Sequence, residues 1–296
     1  MKIPKRYTPF FYISPVIIVL AAITQVPFIY ALYLSTLDIN LAWRGAAGAP
    51  EQRFIGLGNY VNAFGDELFT TSLSNTALFI ITMVPIELLL GLGLALLINT
   101  SCNRNLRGIG VIRTLLLLPM MVMPIVVGLT YRHIFNGTYG IMNWFIGLVG
   151  MDRVAWLDSP LTARISVVMV DVWQWTPFVM LIFLATLQAL PIEPYEAARI
   201  DGASVTQTFR HITLPMLRSA FLIILPIRTM DMIKMFDVIY LLTKGGPGSA
   251  TLVSSYYVFQ QAFEFLNIGY ASAMAMILLA IVIIISNVYI WIIRRR

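Results

Sequence analysis

The chain has 296 residues, 59% of them hydrophobic and only 11% charged, with a formal charge of +6 at pH 7. Soluble domains carry roughly 25% charged residues, so this composition, with a mean hydropathy of +0.82, excludes an ordinary soluble fold and points to a polytopic, all-α membrane protein. The single Cys102 excludes a disulfide framework within one chain, and His133 and His211 are too few and too far apart for a zinc site; the basic residues sit at the ends of apolar runs instead of forming a nucleic-acid patch.

Six apolar segments have spanning length, at about residues 10–34, 73–98, 112–135, 163–190, 220–243 and 271–293. The basic start, MKIPKR, leads into a run that contains Pro15 and Pro27 and lacks a small-residue cleavage site, so it reads as a retained first helix and not as a signal peptide. Between the first two spans lies a polar loop over residues 38–72, with Phe54-Ile55-Gly56-Leu57-Gly58-Asn59-Tyr60 inside it. The second span holds Glu87, between Pro85 and Leu88, which suits a helix-to-helix contact. In the third, Met120, Met121 and Met123 read as adaptable packing.

Ionisable groups inside a span cost a few kcal/mol at mid-bilayer by insertion scales (about 2.5–3.5), so they should face the bundle interior, a partner chain or a wet cavity. On the fourth span, spacings of three and four put Asp171, Gln174 and Trp175 on one face. On the fifth, Arg228, Asp231, Lys234 and Asp237 follow at steps of three with alternating sign, Met232 among them. Two readings fit that strip: an internal salt-bridge ladder that stabilises packing, or polar groups lining a solute path. Asp237 leans towards the first, and Arg228, whose fork suits an anionic group, towards the second.

Residues 191–217, PIEPYEAARIDGASVTQTFRHITLPML, form a charged island between the fourth and fifth spans. Pro191 and Pro194 suit a helix start, and Gly202 can break the chain sharply after Asp201. Ser204 with Gln207 reads as a capping box for a second helix whose apolar positions Val205, Phe209 and Ile212 share a face. Thr206, Gln207, Arg210 and His211 lie opposite.

Orientation follows from the basic residues. One side takes twelve: Lys2, Lys5, Arg6, Arg104, Arg107, Arg113, Arg199, Arg210, Arg218, Arg294, Arg295 and Arg296. The other takes six: Arg44, Arg53, Arg132, Arg153, Arg164 and Lys244. The positive-inside rule therefore places both termini and the charged island in the cytoplasm.

Glu196-Ala197-Ala198, Asp201-Gly202-Ala203 and Ile212-Thr213-Leu214-Pro215, at their fixed spacing, resemble the EAA loop of the permease subunits of binding-protein-dependent ABC importers. The Phe54 to Tyr60 segment, Phe236-Asp237 with Tyr240, and Thr243-Lys244-Gly245-Gly246-Pro247-Gly248 resemble the carbohydrate-uptake branch, so the similarity runs from about Phe54 to Ala273. The resemblance implies one permease domain over residues 1–296 with six membrane helices in the type I importer fold, set in a bacterial inner membrane. It implies a second, similar permease, two cytoplasmic ATPase subunits that hold ATP and Mg2+, an outer solute-binding protein, and a sugar, glycoside or polyol-like solute. Glu196, Ala197, Ala198, Asp201, Gly202, Ala203 and Arg210 would dock on the ATPase. Asp171, Gln174, Trp175, Arg228, Asp231 and Met232 would line the solute path.

Each reading has a plainer counterpart. The charged island could be an amphipathic interfacial hairpin without a partner, and Glu196 could merely favour its own helix. Membrane carboxylates such as Asp171 and Asp231 also permit an ion-coupled secondary transporter, although that class has no use for a docking loop. No nucleophile motif, Walker-type loop or metal spacing is present, so the chain has no sequence reason to be an enzyme or to bind a cofactor itself.

Overall fold

A computed structural model describes residues 8–41, 53–103 and 108–294. Of the charges counted above, Lys2, Lys5, Arg6, Arg44, Arg104, Arg107, Arg295 and Arg296 lie outside the described residues. In chain order the elements are α1 (Thr8–Ser35), β1 (Leu37–Asp38), β2 (Arg53–Phe54), α2 (Gly58–Gly65), α3 (Glu67–Asn103), α4 (Ile109–Met121), α5 (Pro124–Ile134), α6 (Ile141–Leu148), α7 (Pro160–Gln188), α8 (Glu193–Ile200), α9 (Val205–Thr208), α10 (Leu214–Met216), α11 (Arg218–Ile233), α12 (Asp237–Leu242), α13 (Ser254–Phe259) and α14 (Ile268–Arg294). Four described helices, α1, α3, α7 and α14, are long and apolar enough to cross a bilayer; counting each of two bent helix pairs as one span makes six. The described residues form two compact units.

The first unit comprises residues up to 70 and 258–281. Helix α1 is apolar all round, and its described side chains from Tyr12 to Tyr33 are almost all exposed, a surface that suits hydrocarbon or another apolar helix and not water. After it, β1 pairs antiparallel with β2 in the register Leu37 to Phe54 and Asp38 to Arg53. The Phe54 to Tyr60 segment closes this corner: the buried Asn59 amide donates to the carbonyls of Ser35 and Leu37, both at 2.9 Å, and the Tyr60 hydroxyl lies 2.7 Å from Ser35 Oγ. These bonds satisfy carbonyls left open where α1 ends.

The second unit comprises residues 71–257 and 282 onwards. Its core lies where α3, α7 and α11 meet, through Leu92, Ala95, Met180, Phe183, Leu184, Leu217, Ala220 and Ile224. Helices α3 and α7 approach closely at Gly91, where an added Cβ would stand 2.6 Å from Val179 Cγ1 and 3.0 Å from the Met180 nitrogen. On the loop after α12, Asn75 Nδ2 donates to the carbonyls of Ser249 and Leu252, and Arg164 Nε to that of Ala250. The stretch that directly follows the Gly-Gly-Pro-Gly segment is thereby tied to α3 and α7.

Two expected spans are not continuous helices. The third bends by 92° between α4 and α5. Pro119 and Pro124 remove backbone donors on either side of the break at Val122 and Met123. The fifth stops at Ile233, and Asp237 opens the separate helix α12. The strip Arg228, Asp231, Lys234, Asp237 therefore does not continue along one helical face, and the four-residue ladder does not form. Arg228 instead pairs with carboxylates of other helices, and among the described residues Lys234 pairs only with Asp231, at 3.6 Å.

Candidate functional site

Near the C-terminal end of α11 a cavity of about 260 Å³ opens against α7 and α12. Asp171, Gln174, Trp175, Arg228, Asp231 and Met232 all line it, together with Pro124, Lys234, Phe236 and Asp237. Helix α7 supplies its three residues from consecutive turns of one face, and the early stop of α11 turns Lys234 to Phe236 towards the same space.

Arg228 is the centre of its polar wall and is 1% exposed. Its Nε and Nη2 each donate to one oxygen of Glu87 at 2.7 Å, a two-pronged contact across to α3. Nη2 also donates to Asp171 Oδ2 at 2.8 Å and lies 3.4 Å from Met232 Sδ. The guanidinium carbon stands 4.9 Å from the centroid of the Trp175 ring. Paired forks of this kind are the strong form of ion pair, and burial makes each partner depend on the others. The idea that Arg228 stands ready for an anionic solute group thus meets a correction: two carboxylates of its own chain already neutralise it.

Gln174 is also buried, and its Nε2 donates to the Val122 carbonyl at 3.0 Å, so it ties α7 to the break between α4 and α5. Its Oε1 is a buried acceptor without a hydrogen-bond partner among the described residues. Asp231 and Lys234 are more open, with side chains 41% and 70% exposed. Phe236 stacks on Tyr240 with ring centroids 5.3 Å apart. The cavity can therefore offer carboxylate acceptors, amide groups and aromatic or thioether surface, the mixture that holds a hydroxylated ring.

The second group of candidates lies at the far ends of the same two helices. Helix α8 ends in a left-handed Gly202 at φ 70°. The Ala203 N–H reaches back to the Ala198 carbonyl at 2.9 Å and the Gly202 N–H to that of Arg199 at 3.2 Å, a Schellman closure that needs a residue free to take positive φ. Ser204 and Gln207 then form the expected capping box. Glu196, Ala197, Asp201, Gly202 and Arg210 are exposed, Ala203 is half-buried and Ala198 is buried. The Tyr195 hydroxyl donates to Thr213 Oγ1 at 3.2 Å and joins the two helices of the loop.

Val205 departs from the expected shared face: it is 87% exposed, while Phe209 and Ile212 are half-buried. A π-helical turn at Phe209–Thr213 separates α9 from α10, and its wider repeat rotates the face away from Val205. Ile200 is likewise 86% exposed, so two aliphatic side chains flank Gly202 in the open.

The family described as "Binding-protein-dependent transport system inner membrane component" matches residues 87–296, which include both groups of candidates. The chain belongs to this family. Among similar members, the trehalose/maltose transport system permease protein MalF of Thermococcus litoralis is 39% identical over 88% of this chain and 85% of its own length. The sulfoquinovosyl glycerol transport system permease protein SmoG of Agrobacterium fabrum is 34% identical over 96% of this chain and 89% of its own. A chain of a bacterial alginate ABC transporter, crystallised with an alginate pentasaccharide-bound periplasmic protein, superposes with a TM-score of 0.83 over 98% of this chain and 96% of that one, at 21% identity. The protein therefore has the type I ABC importer permease fold and is an inner membrane component of a binding-protein-dependent transport system. Membership favours this reading over the ion-coupled secondary transporter. Glu87, at the first residue of the family match, makes the helix-to-helix contact expected of it, from α3 to Arg228 on α11, and so stands behind the cavity wall. Its signal was the cost of a carboxylate in an apolar span.

Proposed function

We propose that this permease is one of two transmembrane subunits of an ATP-driven importer for a sugar, glycoside or polyol, loaded by an outer solute-binding protein. Two cytoplasmic ATPase subunits would hold ATP and Mg2+, so this chain needs no cofactor of its own. It would act as one domain over residues 1–296, surrounded by lipid, with both termini and the EAA loop in the cytoplasm and no role for nucleic acid. The solute class rests on the relatives, whose names include trehalose/maltose, lactose and sulfoquinovosyl glycerol.

One observation carries the mechanism: the same two helices bear the cavity and the exposed EAA loop. From Gln174 to Gln188 helix α7 runs about 21 Å, and from Arg218 to Arg228 helix α11 runs about 15 Å, at roughly 1.5 Å per residue. Glu196, with the exposed Ile200 and Val205, would dock in a cleft of the ATPase. Closing of the ATP-bound ATPase pair would move the loop, and α7 and α11 would carry that movement to Asp171, Trp175 and Arg228 and open the cavity to the other side. Hydrolysis would reset it.

The test is Glu196→Arg in the assembled system reconstituted with its binding protein. The expected outcome is normal assembly with binding-protein-stimulated ATPase activity and uptake both abolished, because Glu196 is exposed and its replacement disturbs no buried packing. Unchanged stimulation in a well-assembled complex would overturn the docking role.

A further inference from the structure

Relatedness leaves the charge of the solute open, since trehalose and maltose transport and the import of the "acidic polysaccharide alginate" both occur among the similar proteins. We propose that the cavity between α7, α11 and α12 accepts uncharged saccharides and rejects their carboxylated or phosphorylated counterparts. This rests on the saccharide reading above and narrows it.

Charges face the cavity from the elements packed around it. Helix α7 contributes Asp171, helix α11 Arg228 and Asp231, its C-terminal cap Lys234, and α12 Asp237 in its first turn. Glu87 stands behind Arg228 on α3. Arg228 would be the natural receptor for an anion, yet Nε and Nη2 are committed to Glu87 and Asp171. Only Nη1 lacks a hydrogen-bond partner among the described residues. A donor on a guanidinium already neutralised by two carboxylates suits a hydroxyl better than a full negative charge. Lys234 is 3.6 Å from Asp231. Recruiting it to a solute anion would leave the Asp231 carboxylate beside that anion.

Neutral rings meet no such conflict. Their hydroxyls can donate to the free lone pairs of Asp171, Asp231 and Asp237 and to the unpartnered Oε1 of Gln174, and their apolar faces can lie on Trp175, Met232 or Phe236. An anion brought among the same carboxylates is repelled by each of them. At an effective dielectric of about 20, one such charge at close range shifts an equilibrium by well over tenfold.

Saturation-transfer NMR on the full-length chain in lipid nanodiscs tests this, because it reads weak binding directly from the protons of the sugar. The probes are maltose and trehalose against glucuronate and glucose 6-phosphate at equal concentration, with Trp175→Ala to mark signal from this cavity. The expected result is a Trp175-dependent signal for the neutral sugars, and for the anions a signal at least roughly tenfold weaker. In Asp171→Asn and in the more exposed Asp231→Asn the anion-to-neutral ratio should rise severalfold. Two such variants are used so that poor folding of one does not decide the matter. Equal or stronger Trp175-dependent binding of the anions to the unaltered chain would overturn the charge rule while leaving the saccharide reading intact. Absence of Trp175-dependent signal from either class would overturn the saccharide reading and the charge rule with it.

Discussion

The EAA loop and the Arg228 cluster are both polar interruptions of an apolar chain, but they are built on opposite principles. In the loop, the closing bonds join near neighbours: Ala203 to Ala198, Ser204 to Gln207. In the cluster, Arg228 joins Glu87, 141 positions away, and Asp171, 57 positions away. The loop holds its own shape and leaves Glu196, Ile200 and Val205 free to meet another protein. The cluster consumes its own charges and leaves little for another molecule beyond lone pairs, ring faces and an open Asp231–Lys234 pair. Exposure follows the same division: Arg228 is 1% exposed and Val205 87%.

The contrast breaks most readily at Arg228. Arg228→Ala would leave Glu87 and Asp171 buried without their counter-charge, and should cost on the order of 3 to 5 kcal/mol, seen as loss of folded protein and of thermal stability in detergent. Glu87→Gln should be milder, since Arg228 keeps Asp171. Near-normal yield and melting temperature of Arg228→Ala would show that water reaches the cluster, and its structural account would fail.

A smaller effect is expected in the loop. Gly202→Ala places a Cβ at φ 70°, where a non-glycine residue loses about 1–2 kcal/mol locally, with open space around it. Insertion and yield should therefore stay normal while the angle between α8 and α9 shifts and uptake falls. Reduced yield matching that of Arg228→Ala would mean that the loop is part of the folding core and not a separate docking element.

The smallest stability effect belongs to Lys234→Ala. An exposed pair of this kind is worth about 0 to 1 kcal/mol, so the melting temperature should scarcely change. Solute selectivity, by contrast, should move further towards neutral sugars as the cavity loses its more accessible cation. A melting temperature lowered as far as in Arg228→Ala would place Lys234 inside the structural cluster.

Much of the loop was legible in the residues because capping and helix termination act over three to six positions. Ser204 with Gln207, and Gly202 after Asp201, carry enough information to place two short helices and the break between them. The exposure of Val205 was not legible, since the π-helical turn after it depends on how Phe209 and Thr213 settle against their neighbours. The membrane spans were likewise readable from their apolar length. Their interruptions at Val122 and after Ile233 were harder to read, since a proline or a charge inside a span permits a break but does not require one.

By itself the sequence determined that Asp171, Gln174 and Trp175 share a face and that Arg228 lies in an apolar span, because helical periodicity and hydropathy are properties of a local stretch. Only the tertiary structure decided what Arg228 does with its charge. A guanidinium in a low-dielectric interior must find carboxylates, and several lay within the spans: Asp231 was nearest in sequence, but packing of α3 and α7 brought Glu87 and Asp171 within 2.8 Å. Which candidate wins depends on the approach of whole helices, set by small residues such as Gly91 and by the core below them, and no spacing along one helix records it.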